Sequence, residues 1–448
     1  MKSNSRFLLV GGVKPMRHSV VCFFLLVTAV PLTSFAQSKE MTRLEHEERQ
    51  AMLSTIYEDI KKEYYDPKFH GLDWNAQYAQ AKEKVAAART KAEANLQIAA
   101  MLEPLDDSHT HFIPPQRSVR EDYGIQYEMT GDRCYVMYVK PGSDAESKGL
   151  KRGDEILSVN GFTPARDSLS KMKYLLNILY PQTGLRLSLR DTSGKNRTLD
   201  VMAKEKELPI ILTGVDRWRA ALDRQENWRQ AQPVTVEFGN QLMILRLSNF
   251  MMTPFIAEGL IDKAREHNAL IVDLRSNPGG SLESLKHFLA GFFAEDVKIG
   301  DEIRRDKATH LATKARHNPF TGKLFVLVDS QSASAAEIFA RVIQLEKRGT
   351  VIGDITSGSV MAAQFRYHTY GTHQVIAYGM EISLANFIMP DGNSLEHFGV
   401  TPDEKMLPSQ QDLALGRDPI LAAAAAKASV MLAPEKAAEL FPIEWPRD

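Results

Sequence analysis

The spacing of apolar and polar positions divides the chain into a helical first part and a later part of short apolar runs and helices. Residues 40–103 repeat apolar groups at helical spacing, as at Met52, Ile56 and Ile60. From residue 233 onward, apolar runs of strand length alternate with helical stretches. We predict a helical N-terminal region over residues 40–115, a core over 233–407 and an Ala-rich helical tail over 408–448.

The later part is organised around residues 323–345. An unbroken apolar run, Leu324 to Val328, is followed by a turn of small residues ending at Ser334 and then by apolar groups at helical spacing. A strand, a tight turn and a helix can hold a serine hydroxyl at the mouth of a site. The same residues also fit a capping box with Ser334 at N-cap and Glu337 at N3, which is a purely structural role.

A second glycine-containing turn follows the apolar run Ala269 to Leu274. Its Gly279-Gly280 pair can turn backbone N–H groups towards a ligand, and with the N–H of Ala335 it would form an oxyanion hole. The structural alternative is a strand-to-helix turn that needs positive φ.

Residues 118–204 carry glycine turns, a short helix and a strand in an order that resembles a PDZ domain. The resemblance implies that Tyr123-Gly124-Ile125 receives the carboxylate of a peptide added at a sheet edge, beside a helix over Ser168 to Leu179. The alternative is a module used only for packing or gating. Residues 205–232 then read as a polar helical linker.

The glycine turn, the serine turn and the PDZ-like unit together resemble the C-terminal processing peptidases (tail-specific proteases) and their tricorn-type relatives, over about residues 40–425. The resemblance implies a multidomain fold of the α+β and α/β classes, in which a PDZ domain is inserted between a helical N-terminal region and a crotonase-like α/β sandwich core. It implies that Ser334 is the attacking nucleophile of a serine peptidase.

The chain departs from the Ser–Lys pattern of that family. The family's lysine lies in a Gly-Lys-Gly element, which here reads Gly358-Ser359-Val360, and Lys347 lies in a polar turn after the helix. A hydroxyl cannot replace an amine as general base.

The tricorn-type branch of the family suggests a different base. Similarity to it implies His109 as base and Glu396 as an acidic residue acting at one remove, through Ser108 or another hydroxyl or water. Activity is then expected to rise near the ordinary histidine pKa of about 6.5. His109-x-His111 lacks a third ligand at a recognisable spacing, so we expect no metal and no cofactor. Asp106 and Asp107 are interpreted as turn or capping residues.

The N-terminus predicts export. Positive charges precede the apolar run Val20 to Val30, and small residues end at Ala36, as in a secretory signal peptide over residues 1–36. The remaining chain holds 51 basic and 56 acidic residues, which does not suggest nucleic acid as a partner. One cysteine, Cys134, remains and is expected in the core.

We therefore expect a periplasmic or secreted serine endopeptidase that is not an integral membrane protein and acts on proteins or peptides with free C-termini. An oligomer is compatible with this sequence. Two alternatives keep the fold: an inert relative that serves as a peptide-binding scaffold, and a relative that binds an apolar small molecule.

Overall fold

The computed structural model describes residues 40–208, 232–371 and 375–442. The predicted signal peptide and residues 209–231 of the predicted helical linker, which include Asp216 to Arg229, lie outside these residues. The first residues of the predicted linker are not helical, because Lys204–Glu207 forms a strand paired with Val119–Asp122. No helix in the described ranges is both long enough and apolar enough to span a bilayer.

The N-terminal region is helical, as its apolar spacing predicts. Thr42, Asp73 and Thr90 cap its three helices by accepting a backbone N–H through their side chains. Its buried face includes Met52 and Ile56 and packs against a long strand of the core. The helices are α1 (Arg43–Glu63), α2 (Trp74–Ala87) and α3 (Lys91–Leu102).

The PDZ-like unit is a five-stranded antiparallel sheet with two helices. Its strand order is β3-β4-β5-β6-β7, so β3 is an edge strand. Cys134 lies buried in its core, as expected. With β1 (His111–Ile113) and β2 (Val119–Asp122) before it and β8 (Lys204–Glu207) after it, its elements are β3 (Ile125–Thr130), β4 (Arg133–Val139), α4 (Asp144–Ser147), β5 (Glu155–Val159), α5 (Leu169–Tyr174, continued by a π-helical turn over Leu175–Leu179), β6 (Gly184–Arg190) and β7 (Asn196–Met202).

The core contains a six-stranded sheet with helices on both faces. Its first two strands, Val234–Phe238 and Leu242–Arg246, form an antiparallel hairpin, and the remaining strands are parallel. The sheet order is β18-β15-β14-β11-β10-β9. The elements of this layer are β9 (Val234–Phe238), β10 (Leu242–Arg246), α6 (Pro254–Ala264), β11 (Ala269–Asp273), α7 (Leu282–Ala290), β14 (Lys323–Val328), α8 (Ala335–Leu345), β15 (Thr350–Gly353) and β18 (Glu404–Lys405).

The continuous apolar runs of β11 and β14 follow from burial on both faces. In β11, Leu270 and Val272 pack with α6, α7 and α8, whereas Ile271 packs with the C-terminal tail. The tail consists of α9 (Gln410–Leu415), α10 (Pro419–Lys427) and α11 (Pro434–Leu440). Its Asp418 receives two hydrogen bonds from Arg275, which also binds Asp273 at the end of β11.

A second sheet joins the core to the N-terminal region. Its order is β1-β17-β12-β13, and β16 pairs with β17. The apolar pattern also suggests a strand near His373 to Ala377, of which His373 and Gln374 lie outside the described residues. The described strand, β17 (Ile376–Ile388), extends well beyond Ala377, because its length is set by pairing with β1, β12 and β16. The other strands are β12 (Lys298–Arg304), β13 (Ala308–Ala312) and β16 (Met361–Tyr370).

The PDZ domain contacts the core next to the serine turn. Ser330 Oγ donates a hydrogen bond of 2.6 Å to the carbonyl of Met129 at the end of β3. The N–H of Gly131 donates to Asp354 Oδ2 at 2.8 Å, and Arg166 forms an ion pair with the same carboxylate. These contacts connect the PDZ domain to the turn that carries Ser334 and to Asp354, the residue that follows Gly353.

Candidate active site

Ser334 lies where the chain leaves β14 and enters α8. Its backbone has φ 53° and ψ −118°, a conformation that L-residues rarely adopt. Its N–H donates to the carbonyl of Ser359 at 2.9 Å and to Glu337 Oε2 at 3.0 Å. The N–H of Ala335 has no acceptor among the described residues, as expected for the first residue of a helix.

The glycine loop after β11 lies directly against Ser334. A Cβ built at Gly279, whose φ is +97°, would lie 2.6 Å from Ser334 Cβ and 2.9 Å from the N atom of Ala335. Only glycine allows this approach. The structure therefore brings together the glycine turn and the serine turn that the sequence analysis paired.

The two glycines differ in their backbone donors. The N–H of Gly279, expected to face an oxyanion, instead donates to Asn277 Oδ1 at 2.8 Å. Asn277 is fully buried and is itself held by its bond to the Leu247 carbonyl at 2.7 Å. The N–H of Gly280 has no acceptor within the described part of the chain. Gly280 and Ala335 therefore keep free donors, whereas Gly279 contributes space.

His109, Ser108 and Glu396 form one hydrogen-bonded group. Ser108 Oγ lies 2.7 Å from His109 Nδ1 and 3.0 Å from Glu396 Oε2. Glu396 Oε1 accepts the N–H of Ser108 at 2.7 Å, and its Oε2 accepts the N–H of Val360 at 2.7 Å. Since the Ser108 hydroxyl donates to the Glu396 carboxylate, Ser108 Oγ accepts a hydrogen bond from the Nδ1–H of His109. This tautomer leaves Nε2 with a free lone pair.

Asp107 fixes the turn that carries His109. Its Oδ1 accepts the backbone N–H groups of His109 and Thr110 at 3.0 and 2.7 Å and the hydroxyl of Ser383 at 2.8 Å. Its Oδ2 accepts the hydroxyl of buried Tyr64 at 2.8 Å. Asp107 therefore holds the histidine backbone between the helical region and β17.

Burial is the main cause of the pKa shifts of His109 and Glu396. It lowers the pKa of His109 to about 4, with Asp107 acting in the opposite direction, so the expected value near 6.5 does not apply. Burial also raises the pKa of Glu396, against the hydrogen bonds it accepts from Val360 and Ser108. His109 is therefore neutral at pH values well below 6.5.

The serine turn and the histidine group meet through the loop between β15 and β16. Ser334 bonds the carbonyl of Ser359, and the next residue, Val360, bonds Glu396. Within the described part of the chain, no hydrogen bond joins the His109 ring directly to Ser334. The loop is thus the connection between the two halves of the site.

Comparison with known proteins agrees with this arrangement. Residues 242–406 match Peptidase family S41, residues 45–103 the Tricorn protease C1 domain and residues 115–177 the PDZ domain. The carboxyl-terminal-processing protease of Synechocystis sp. is 24% identical over 418 residues, which are 88% of each chain. The tail-specific protease of Haemophilus influenzae is 26% identical over 66% of this chain and 43% of that protein.

These matches support membership of the chain in the carboxyl-terminal-processing (tail-specific) protease family. The chain is therefore a serine-type peptidase. The fold also agrees with the solved structure of mature CPAF complexed with lactacystin, with a TM-score of 0.62 and 13% identity over 83% of this chain and 96% of that chain.

The position where the sequence analysis expected the family's lysine lies beside the nucleophile turn and holds Ser359. Its hydroxyl lies 3.0 Å from that of Ser357, and its carbonyl receives the Ser334 N–H. Lys347 follows α8, whereas Ser334 precedes it, so about 16 Å of helix separates them. Lys347 is thus excluded as the base.

The PDZ loop of this tail-specific protease differs from its predicted role. Gly124 is required there, because a Cβ would lie 2.4 Å from Ser143 Cβ. Its N–H, however, donates to Asp122 Oδ1 at 2.9 Å. Tyr123 is buried and its hydroxyl bonds the carbonyl of Gln182 at 2.8 Å, while Ile125 begins the edge strand β3.

The sequence analysis did not assign a site role to Glu337, which it treated as a capping residue. Its side chain is fully buried and accepts four hydrogen bonds, from Ser334 N, Thr356 Oγ1, Gly358 N and Ser359 N. Burial raises the pKa of Glu337 to about 7 against these bonds. Its position at N3 of α8 was visible in the sequence, but its partners around residue 358 were not.

Proposed function

We propose that this chain is an endopeptidase in which Ser334 is the nucleophile and His109 the general base. Ser334 Oγ attacks the peptide carbonyl carbon while its proton passes to His109 Nε2. The C–N bond then breaks, and His109 returns the proton to the leaving amine. Water, deprotonated by the same histidine, releases the acyl group from Ser334.

Ser108 and Glu396 act one step away from the reacting atoms. They hold the His109 ring with its proton on Nδ1, so that Nε2 accepts the serine proton. The negative charge of Glu396 also stabilises the imidazolium that forms. The oxyanion accepts hydrogen bonds from the N–H groups of Gly280 and Ala335. These are the two donors of the predicted oxyanion hole that bond no other group among the described residues.

One observation carries this proposal. The bonds from His109 to Ser108, from Ser108 to Glu396 and from Glu396 to Val360 lead into the loop whose Ser359 carbonyl holds the Ser334 backbone. A lysine-less tail-specific protease needs another base, and His109 is the residue that this chain of bonds orients. The Ser–His contact closes when substrate binds, since catalytic hydrogen bonds in unliganded enzymes are often long.

We also propose where the enzyme acts and what it cleaves. The charged, apolar and small-residue segments of residues 1–36 support export to the periplasm or beyond. The position of β3 at the edge of its sheet supports capture of an extended substrate C-terminus by the PDZ domain. Substrates are thus proteins or peptides selected in part by their C-terminal segment.

The test is cleavage of an unfolded model protein by wild type and by three variants. We expect Ser334→Ala and His109→Ala to lose more than about a thousandfold in kcat/KM, while Ser359→Ala retains wild-type activity. Circular dichroism shows whether each variant is folded.

Full activity of His109→Ala would show that the base lies elsewhere. If folded wild type cleaves none of a varied set of unfolded proteins, the peptide-binding scaffold becomes the better account.

A further inference from the structure

The PDZ domain has a groove between its edge strand and its helix. A cavity of about 330 Å³ lies between β3 and the helix α5 with its π-helical turn. This volume can hold one or two residues of an extended peptide added to β3. Its lining includes Tyr123, Ile125, Tyr127, Glu128, Lys173 and Leu185.

The loop at the end of the groove is partly occupied by the chain's own carboxylate. Asp122 Oδ1 accepts the N–H of Gly124 at 2.9 Å, and its Oδ2 accepts from Lys140 Nζ at 2.8 Å. A peptide carboxylate entering this loop would compete with Asp122. The groove therefore needs another group to bind a negative charge.

Lys173 provides a positive charge inside the groove. Its Nζ lies 5.0 Å from the centre of the Tyr127 ring. Among the described residues, no carboxylate oxygen lies within 4.0 Å of this ammonium group, and none accepts a hydrogen bond from it. The Tyr127 ring face is therefore a favourable contact of this ammonium group.

The titratable neighbours of Lys173 leave it short of negative charge. Burial raises the pKa of Cys134 to about 12, so the thiol is neutral. Burial and then the charge of Asp329 raise the pKa of Glu128 to about 7, so this carboxyl is only partly ionised near neutral pH. Burial lowers the pKa of Lys173 itself, against the attraction of Glu128. A half-buried cation of this kind is stabilised by an incoming carboxylate.

We propose that Lys173 is the carboxylate-recognising residue of the PDZ groove, and that the groove selects peptides with a carboxylate at their C-terminal end. The aromatic face of Tyr127 and the side chain of Leu185 form apolar walls for the rest of that residue. The carboxylate comes from the chain terminus or from an acidic last side chain. This inference rests on the proposed function for the role of the PDZ domain in substrate capture.

The test measures peptide binding without hydrolysis, using the full chain with Ser334→Ala. Fluorescence anisotropy compares three labelled ten-residue peptides: one with a free C-terminal valine, the same peptide amidated, and an amidated peptide ending in glutamate. The first comparison reports on the terminal carboxylate, and the third peptide reports on an acidic side chain.

Substitutions on α5 identify the residue responsible. We expect Lys173→Met to weaken binding of a carboxylate-bearing peptide about tenfold and to leave the amidated valine peptide unchanged. Lys173→Arg should stay within about threefold of the parent, because the charge is kept. Lys171→Met is the matched control, since Lys171 lies on the same helix but bonds Glu103.

Each outcome decides the proposal. Lys173-dependent binding of the free-acid peptide, of the glutamate peptide or of both supports it and identifies the source of the carboxylate. Four results would overturn it. Lys173→Met could weaken binding of the amidated valine peptide equally, or weaken binding of no peptide. Lys171→Met could cause the same loss of affinity, or no peptide could bind up to about 1 mM. Cleavage of unfolded protein by wild type, measured separately, tests the proposed function without reference to Lys173.

Discussion

The backbone N–H of Ser334 donates a hydrogen bond of 3.0 Å to Glu337 Oε2, three residues along the same helix. The same carboxylate binds Thr356, Gly358 and Ser359 in the loop that carries the expected lysine position. One buried side chain thus fixes the nucleophile relative to the loop that leads to Glu396. Glu337 is therefore a positioning residue, since it acts through the backbone of its neighbours.

Glu337→Gln should reduce both activity and stability. The amide NH₂ would face N–H donors in place of an acceptor oxygen, which costs about 1–3 kcal/mol in the free energy of unfolding. We expect kcat to fall at least about tenfold with a smaller change in KM, because the nucleophile shifts. Urea unfolding and hydrolysis kinetics measure the two effects. Glu346→Gln, an exposed residue at the other end of α8, is the control that should change neither.

The pH profile of kcat/KM should have its acidic limb near pH 4 and not near pH 6.5. Burial lowers the pKa of His109 to about 4, so the neutral base persists to that pH. Since the unfolded chain binds this proton near pH 6.5, the free energy of unfolding should decrease as the pH falls from about 6.5 towards 4. Initial rates between about pH 3 and pH 8 check the first point, with folding monitored at each pH. A limb at 6.5 would contradict the burial of His109.

Ser108→Ala should lower kcat about 10- to 100-fold with little change in KM. The substitution removes the hydroxyl between His109 Nδ1 and Glu396 Oε2, so the ring loses its orientation. Ser108→Thr, which keeps the hydroxyl, should retain most of the activity. In a double-mutant cycle, adding Glu396→Gln to Ser108→Ala should cost much less than Glu396→Gln in wild type. Additive effects would indicate that the two residues act independently.

Gly279→Ala should abolish activity, because its methyl group would lie 2.6 Å from Ser334 Cβ. The variant also has the cost of an L-residue at positive φ, about 1 kcal/mol. Gly392→Ala is a matched control, since Gly392 has φ +83° and nothing within 4 Å of the added Cβ. It should lose stability but keep its activity. Equal activities of the two variants would contradict the close packing of the glycine loop on the nucleophile.

Periodicity predicted the local elements of this fold because burial repeats along each of them. The runs of β11 and β14 and the N-terminal helical region follow from apolar spacing alone. The extent of β17 was missed, since its later residues are specified by pairing with strands distant in sequence. Sequence patterns contain no direct record of such partners.

The site shows the same limit. Motifs indicated Ser334, Gly280, His109, Ser108 and Glu396, and the structure brings them into one region through the loop after β15. That the N–H of Gly279 is taken by Asn277 depends on one side-chain torsion, which no motif reports. The lowered pKa of His109 depends on its surroundings in three dimensions, and its sequence neighbours do not reveal it.

The backbone of Ser334 makes this enzyme less stable than its fold would allow. A φ of 53° with ψ −118° costs a serine about 1–3 kcal/mol, whereas glycine adopts it freely. Catalysis and thermal robustness are therefore opposed at this residue. Selection for heat resistance without selection for proteolysis should favour glycine at position 334. The resulting protein would be more thermostable but would have no peptidase activity.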